Sequence, residues 1–164
     1  STNQKVEVLR MQRERGFTVL ELMVTLVIAA IVLSLAVPSF QRTVANNAVR
    51  STTSDLVSAL KAARAESMSS RATVTVLPQG GDWGNGWTIV HQASVNSDDA
   101  YQLADKIRVS SDIASVVFSP EGGLSAAGNN ITICHDDATI DGRRITLSFL
   151  GRVTVEAIAG GCGA

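Results

Sequence analysis

Three hydrophobic patterns succeed one another along the chain. From Phe17 to Val37 nearly every position is apolar, interrupted by Thr25 and Ser34, and Glu21 is the only charge. A run of about 20 apolar residues is what a bilayer core requires, so it predicts a membrane-spanning helix reaching to about residue 38. Past Pro38 the composition becomes mixed, yet Val49, Leu56, Leu60, Ala63 and Ser67 step by three, four and seven. Arg50, Ser54, Asp55, Lys61 and Arg64 take the other faces. This is the pattern of an amphipathic helix, ending near Ser69-Ser70. Pro38 falls inside the continuous helix, where a proline removes a hydrogen bond and predicts a kink.

From Arg71 onward the period is two. Ala72–Leu77 alternates and is rich in β-branched residues, which predicts a strand. Trp87–Val90, Lys106–Val109, Ser115–Phe118, Ile131–Cys134, Arg144–Phe149 and Val153–Val155 read as further short strands. Gly80-Gly81-Asp82 and Gly84-Asn85-Gly86 are turn clusters around Trp83, and Pro120–Gly123 is another turn. Residues 96–99 and 126–130 are polar loops. Leu150-Gly151-Arg152 tightly joins the last two strands into a hairpin. One long helix followed by many short strands predicts an α+β fold. A long N-terminal helix, transmembrane then amphipathic, packs on a C-terminal antiparallel β-sheet domain. The expected divisions are a leader over residues 1–16, the helix over 17–70 and a β-rich domain over 71–164.

Charge adds direction to this picture. The whole chain of 164 residues has a net charge of −1. Lys5, Arg10, Arg13 and Arg15 outnumber Glu7 and Glu14 in the leader by two, which leaves −3 from Phe17 on. The positive leader is expected to stay cytoplasmic, which places the C-terminal domain across the membrane. The mature part lacks the basic excess of a general nucleic-acid binder. Its two cysteines, Cys134 and Cys162, form an even pair in an exported domain, which reads as a disulfide. Such a bridge closes a loop of about 28 residues and contributes up to roughly 3 kcal/mol in the chain-entropy picture. The alternative is two unrelated buried thiols.

Gly16-Phe17-Thr18-Val19-Leu20-Glu21 joins the leader to the apolar run. An intramembrane carboxylate costs at least a few kcal/mol, so Glu21 requires a partner. Cleavage after Gly16 would create one, the α-amino group of Phe17 on a neighbouring copy. A secretory signal peptide fits less well, because Pro38 closely follows Ser34-Leu35-Ala36 and Glu21 sits badly in an apolar core. The stretch resembles the processing element of type IV prepilins, with Gly before the cut, Phe after it and Glu at the fifth mature position. The resemblance implies leader cleavage between Gly16 and Phe17, N-methylation of Phe17 and an assembly role for Glu21.

Leu60-Lys61-Ala62-Ala63-Arg64-Ala65-Glu66-Ser67, the strand around Thr73–Val76, Trp83-Gly84-Asn85-Gly86-Trp87, Gly142-Arg143 and Gly151-Arg152-Val153 narrow the family. Together they resemble the FimT/FimU/GspH group of minor pilins and pseudopilins. That resemblance implies a minor pilin, a structural subunit that primes assembly of a type IV pilus or sits at its tip. Its partners would be other minor and major pilins, the prepilin peptidase, and the inner membrane with its assembly platform. It would start as a single-pass inner-membrane protein with a periplasmic domain and end in the extracellular pilus. Two alternatives stay open: a minor pseudopilin of a type II secretion system, and a DNA-binding minor pilin for uptake in natural transformation.

For the DNA alternative the candidates are Arg143, Arg144 and Arg152, since arginines on a hairpin can grip phosphate oxygens. The competing reading pairs them with Asp136, Asp137 or Asp141. His135-Asp136-Asp137 with Asp141 lacks the spacing of a calcium loop and reads as a solvated acidic loop, so no metal or cofactor is expected. Trp83 and Trp87 suit either a ligand platform or a plug for the core, and the flanking glycines favour the plug. His91 and His135 are the only histidines, and no nucleophile sits in a catalytic motif; an enzyme is not expected.

Overall fold

The computed structural model describes residues 16–91, 100–126 and 129–162. Apart from Gly16, the leader lies outside the described residues, as does the loop at 96–99. The chain divides into two compact units, Ser1–Ser39 and Phe40–Ala164. Helix α1 (Val19–Ser70) contributes to both. Within the first unit Thr18 caps the helix: its Oγ1 accepts the Glu21 N–H at 3.1 Å. Thr18 followed three residues later by Glu21 is the capping-box sequence, and it sets a carboxylate in the first turn, where the helix dipole favours it. The helix runs through Pro38. Its apolar stretch is long enough to cross a membrane and is exposed among the described residues.

In the second unit the predicted stripe of α1 is the buried one. Val49, Leu56, Leu60, Ala63 and Ser67 are all buried, and Ala45, Thr52 and Thr53 join them. Arg71 takes a left-handed backbone (φ 53°) immediately after the helix, a common way to stop one.

Seven strands follow: β1 (Val74–Pro78), β2 (Trp87–His91), β3 (Ile107–Ser111), β4 (Val116–Phe118), β5 (Asn129–His135), β6 (Gly142–Leu147) and β7 (Val153–Ile158). All pairings are antiparallel, but they form two sheets rather than one, in the orders β2-β1-β4 and β3-β5-β6-β7. Alternation shows which face a residue occupies and says nothing about partners, so the division was not readable from the pattern. The inward residues of both sheets and the stripe of α1 make one core, with Phe118, Ile131, Ile133 and Ile145 fully buried.

The last hairpin departs from expectation at its tip. β6 stops at Leu147, and Phe149 belongs to the turn, where it is 61% exposed. Gly151 (φ 74°) donates its N–H to Ser148 O, and Ser148 N–H bonds Arg152 O. This is a three-residue loop closed by a left-handed glycine, a common hairpin geometry.

Candidate assembly and binding surfaces

The Trp83–Trp87 motif is part of the core. Trp83 is buried and its indole Nε1 donates to Ile113 O at 2.7 Å. Trp87 is buried and stacks on Tyr101, with ring centroids 4.2 Å apart. Tyr101 hydroxyl donates to Asp55 Oδ2 on α1 at 2.9 Å, and Gln79 Nε2 donates to Tyr101 O. Gly86 (φ 99°) passes so close to Tyr101 O that a side chain there would collide with it. Two aromatic rings, a tight turn and the helix are thus locked together, which answers the choice between platform and plug. Burial, and after it the Asp55 hydrogen bond, raises the Tyr101 pKa above its ordinary 10.0. Sequence reading assigned Tyr101 no role; its only signal would have been an aromatic partner for Trp87 far along the chain.

Arg64 is a second such fastener. Its Nε donates to Gly122 O at 2.9 Å and its Nη2 to Leu150 O at 3.1 Å. One helical side chain thereby anchors two turns, the one before β5 and the one between β6 and β7. Gly151 packs directly on Gly122 O and the Arg64 guanidinium, leaving no room for a Cβ. The Ala-Arg and Gly-Arg motifs, far apart in sequence, meet here through the Arg64–Leu150 bond, which spans 86 residues.

The three candidate arginines do not form one surface. Arg144 is exposed and aligns with Thr132 on one side and Glu156 on the other. Arg143, next to it on β6, is half-buried and must point to the opposite face of the sheet. Arg152 lies beyond the turn, lining a groove of about 290 Å³ with Lys61, Arg64 and Met68 of α1. The expected pairing with the acidic loop is also absent among the described residues. Asp136 pairs with Arg108 at 2.8 Å, and Asp141 Oδ1 accepts the Gly160 N–H. Asp137 accepts both the backbone N–H and the hydroxyl of Thr139, and those bonds hold its carboxyl below the usual range. No group of three His, Cys, Asp or Glu side chains suited to a metal occurs among the described residues. The loop's carboxylates are occupied by local bonds instead.

Cys134 of β5 and Cys162 are joined by a disulfide, with Cα atoms 5.8 Å apart. It ties the segment after β7 back across the sheet to β5.

A long N-terminal helix, apolar over its first part, and an antiparallel β domain packed on its second part make a pilin-like fold. The family described as "Type II transport protein GspH" matches residues 52–151, and the "Prokaryotic N-terminal methylation motif" matches residues 11–37. The chain belongs to the GspH family, whose members are minor subunits of type IV pili and type II pseudopili. Structural subunits of the pilin family are generally non-enzymatic. The fold is similar to that of the type IV minor pilin FimU of Pseudomonas aeruginosa PAO1 in two crystal forms. In space group P21 the identity is 24% over 67% of this chain and 89% of FimU, with a TM-score of 0.57. In P65 the identity is again 24%, over 65% and 91%, with a TM-score of 0.55. No curated protein matches the sequence. The methylation motif with the exposed apolar helix is consistent with membrane anchoring and incorporation into a pilus.

Proposed function

We propose that this chain is a minor pilin that is cut between Gly16 and Phe17, methylated on the new Phe17 amine, and built into a type IV pilus. Its place is the complex that primes assembly or caps the tip. The observation that carries the reading is the methylation motif over residues 11–37 together with an apolar helix whose side chains are exposed among the described residues. An apolar rod needs either lipid or the packed core of a filament, and a subunit passing between them has both in turn. Glu21 serves that passage. Before assembly its carboxylate is tolerated in the first helical turn, and in the filament it meets the Phe17 amine of a neighbour. The leader faces the cytoplasm and the β domain the periplasm.

Glu21→Ala tests this. Cleavage after Gly16 should proceed as in wild type, while recovery of the subunit in sheared filaments drops severalfold. Normal incorporation of the alanine variant would sink the reading. Deleting the whole chain from its host separates the two kinds of filament: loss of surface pili with intact protein secretion supports the pilus, and the reverse outcome assigns a pseudopilus.

A further inference from the structure

The groove of about 290 Å³ between the last turns of α1 and the start of β7 collects charge of one sign. Lys61, Arg64, Ala65 and Met68 line it from the helix, Arg152 and Val153 from the strand, and no Asp or Glu lines it. Lys61 and Arg64 are three residues apart on one helix face, where like charges repel. Neither has a carboxylate three or four residues away on the helix to offset this. Arg64 has an internal duty, since its guanidinium holds Gly122 O and Leu150 O. Lys61 and Arg152 have none: both are exposed, and their side chains make no hydrogen bond or ion pair among the described residues.

Opposite charge gathers at the other end of the same strands. β6 runs from Gly142 to Leu147, which sets the loop before it and the turn after it about 17 Å apart along the strand. The loop carries Asp136, Asp137 and Asp141 and is exposed from Asp136 to Thr139. Asp136 is paired with Arg108. Asp137 has no ion pair among the described residues; the two bonds from Thr139 keep it ionised at neutral pH. Next to it Ala138 is small and exposed.

We infer that the groove receives the Asp136–Thr139 loop of a second copy of this chain, joining copies head to tail. Asp137 of one copy sits between Lys61 and Arg152 of the next, and Ala138 lies against Met68 and Val153. The two halves are complementary in charge, and the length of β6 keeps them apart within one chain, so the contact forms between chains. It joins unlike surfaces and leaves a groove free at one end and a loop free at the other. Such contacts build rings or filaments rather than closed two-fold dimers. A nucleic-acid backbone would call for a longer cationic track, and the groove does not continue into one. Arg143 and Arg144 turn to opposite faces, and Arg144 aligns with Glu156. The inference rests on the subunit reading above and supplies one contact between neighbouring subunits.

The test places a photo-crosslinking residue at Ala65, an exposed and uncharged position in the groove, in the full chain expressed in its host. The expected result is an adduct of two copies whose linked peptide, identified by mass spectrometry, contains Asp137. Arg152→Glu should lower the adduct more than roughly tenfold, because juxtaposed like charges are strongly unfavourable. Arg152 contributes only backbone bonds to its turn, so this variant keeps the fold. Asp137→Arg should lower the adduct as much, and the two substitutions combined in one chain should restore it. Should Asp137→Arg fail to form the Cys134–Cys162 bond, Asp137→Asn decides instead. It keeps an oxygen for Thr139, removes the charge, and should lower the adduct severalfold. No adduct in wild type, an adduct indifferent to Arg152→Glu or Asp137→Asn, or a folded charge swap that restores nothing overturns the contact. So does an adduct to a different subunit, nucleic acid or lipid in place of a second copy. Any of these beside a defective Glu21→Ala overturns the groove contact alone; normal Glu21→Ala overturns the subunit reading beneath it.

Discussion

Tyr101 is the chain's single tyrosine, so its ionisation can be followed without interference. Burial and the Asp55 carboxylate both favour the neutral phenol in the folded state, raising its pKa above 10.0. A raised value means that the contribution to stability is complete below the unfolded pKa and is lost as pH climbs through the folded one. Phenolate absorbance during an alkaline titration should therefore appear above pH 10.0, and Asp55→Asn should move the midpoint back toward that value. A midpoint unmoved by the substitution would show that the bond to Asp55 does not act on the phenol. Little of this was legible in the sequence. Tyr101 and Asp55 are 46 residues apart, and neither sits in a motif. The Thr18 cap is legible, because Thr-x-x-Glu at the start of a helix is a capping signal in its own right. Arg64 and Gly151 each belonged to a recognised motif, yet the reason they occur together is a hydrogen bond between elements that only folding brings into contact.

At the scale of elements, periodicity predicted α1 and all seven strands to within a few residues, because burial of one face writes itself into the order of side chains. It failed where the burial of a side chain no longer followed the period. Phe149 extends the alternation of β6 in sequence, but the turn that Gly151 closes carries it into solvent. The Cys134–Cys162 bridge belongs to this scale as well, since it secures the segment after β7 to β5. Replacing both cysteines by serine should cost about 2–4 kcal/mol of stability, with the loss spread through the second unit. Guanidinium unfolding followed by Trp83 and Trp87 fluorescence measures it, both indoles being buried in that unit. An unchanged midpoint would show that the closed loop was already constrained in the unfolded chain.

At the scale of the molecule, the two units differ in surface: the apolar stretch of the first is exposed among the described residues. Phe40–Ala164 carries its own core, built from the stripe of α1 and the inward faces of both sheets. A chain beginning at Phe40 should therefore express as a soluble, folded protein with its disulfide formed, checked by sharp thermal unfolding and the absence of free thiols. Aggregation of that fragment would mean that the second unit depends on the apolar helix. By itself the sequence determined the methylation motif, the apolar helix, the α+β class and the family, since each depends on local order: the run of apolar residues, the offset of Glu21 from Gly16, and the change of period after Arg71. Tertiary structure alone decided which strands share a sheet, that Arg143 and Arg144 face opposite ways, and that β7 ends its sheet among the described residues. Those depend on pairings between distant segments, where partner and register are chosen by packing of the whole core.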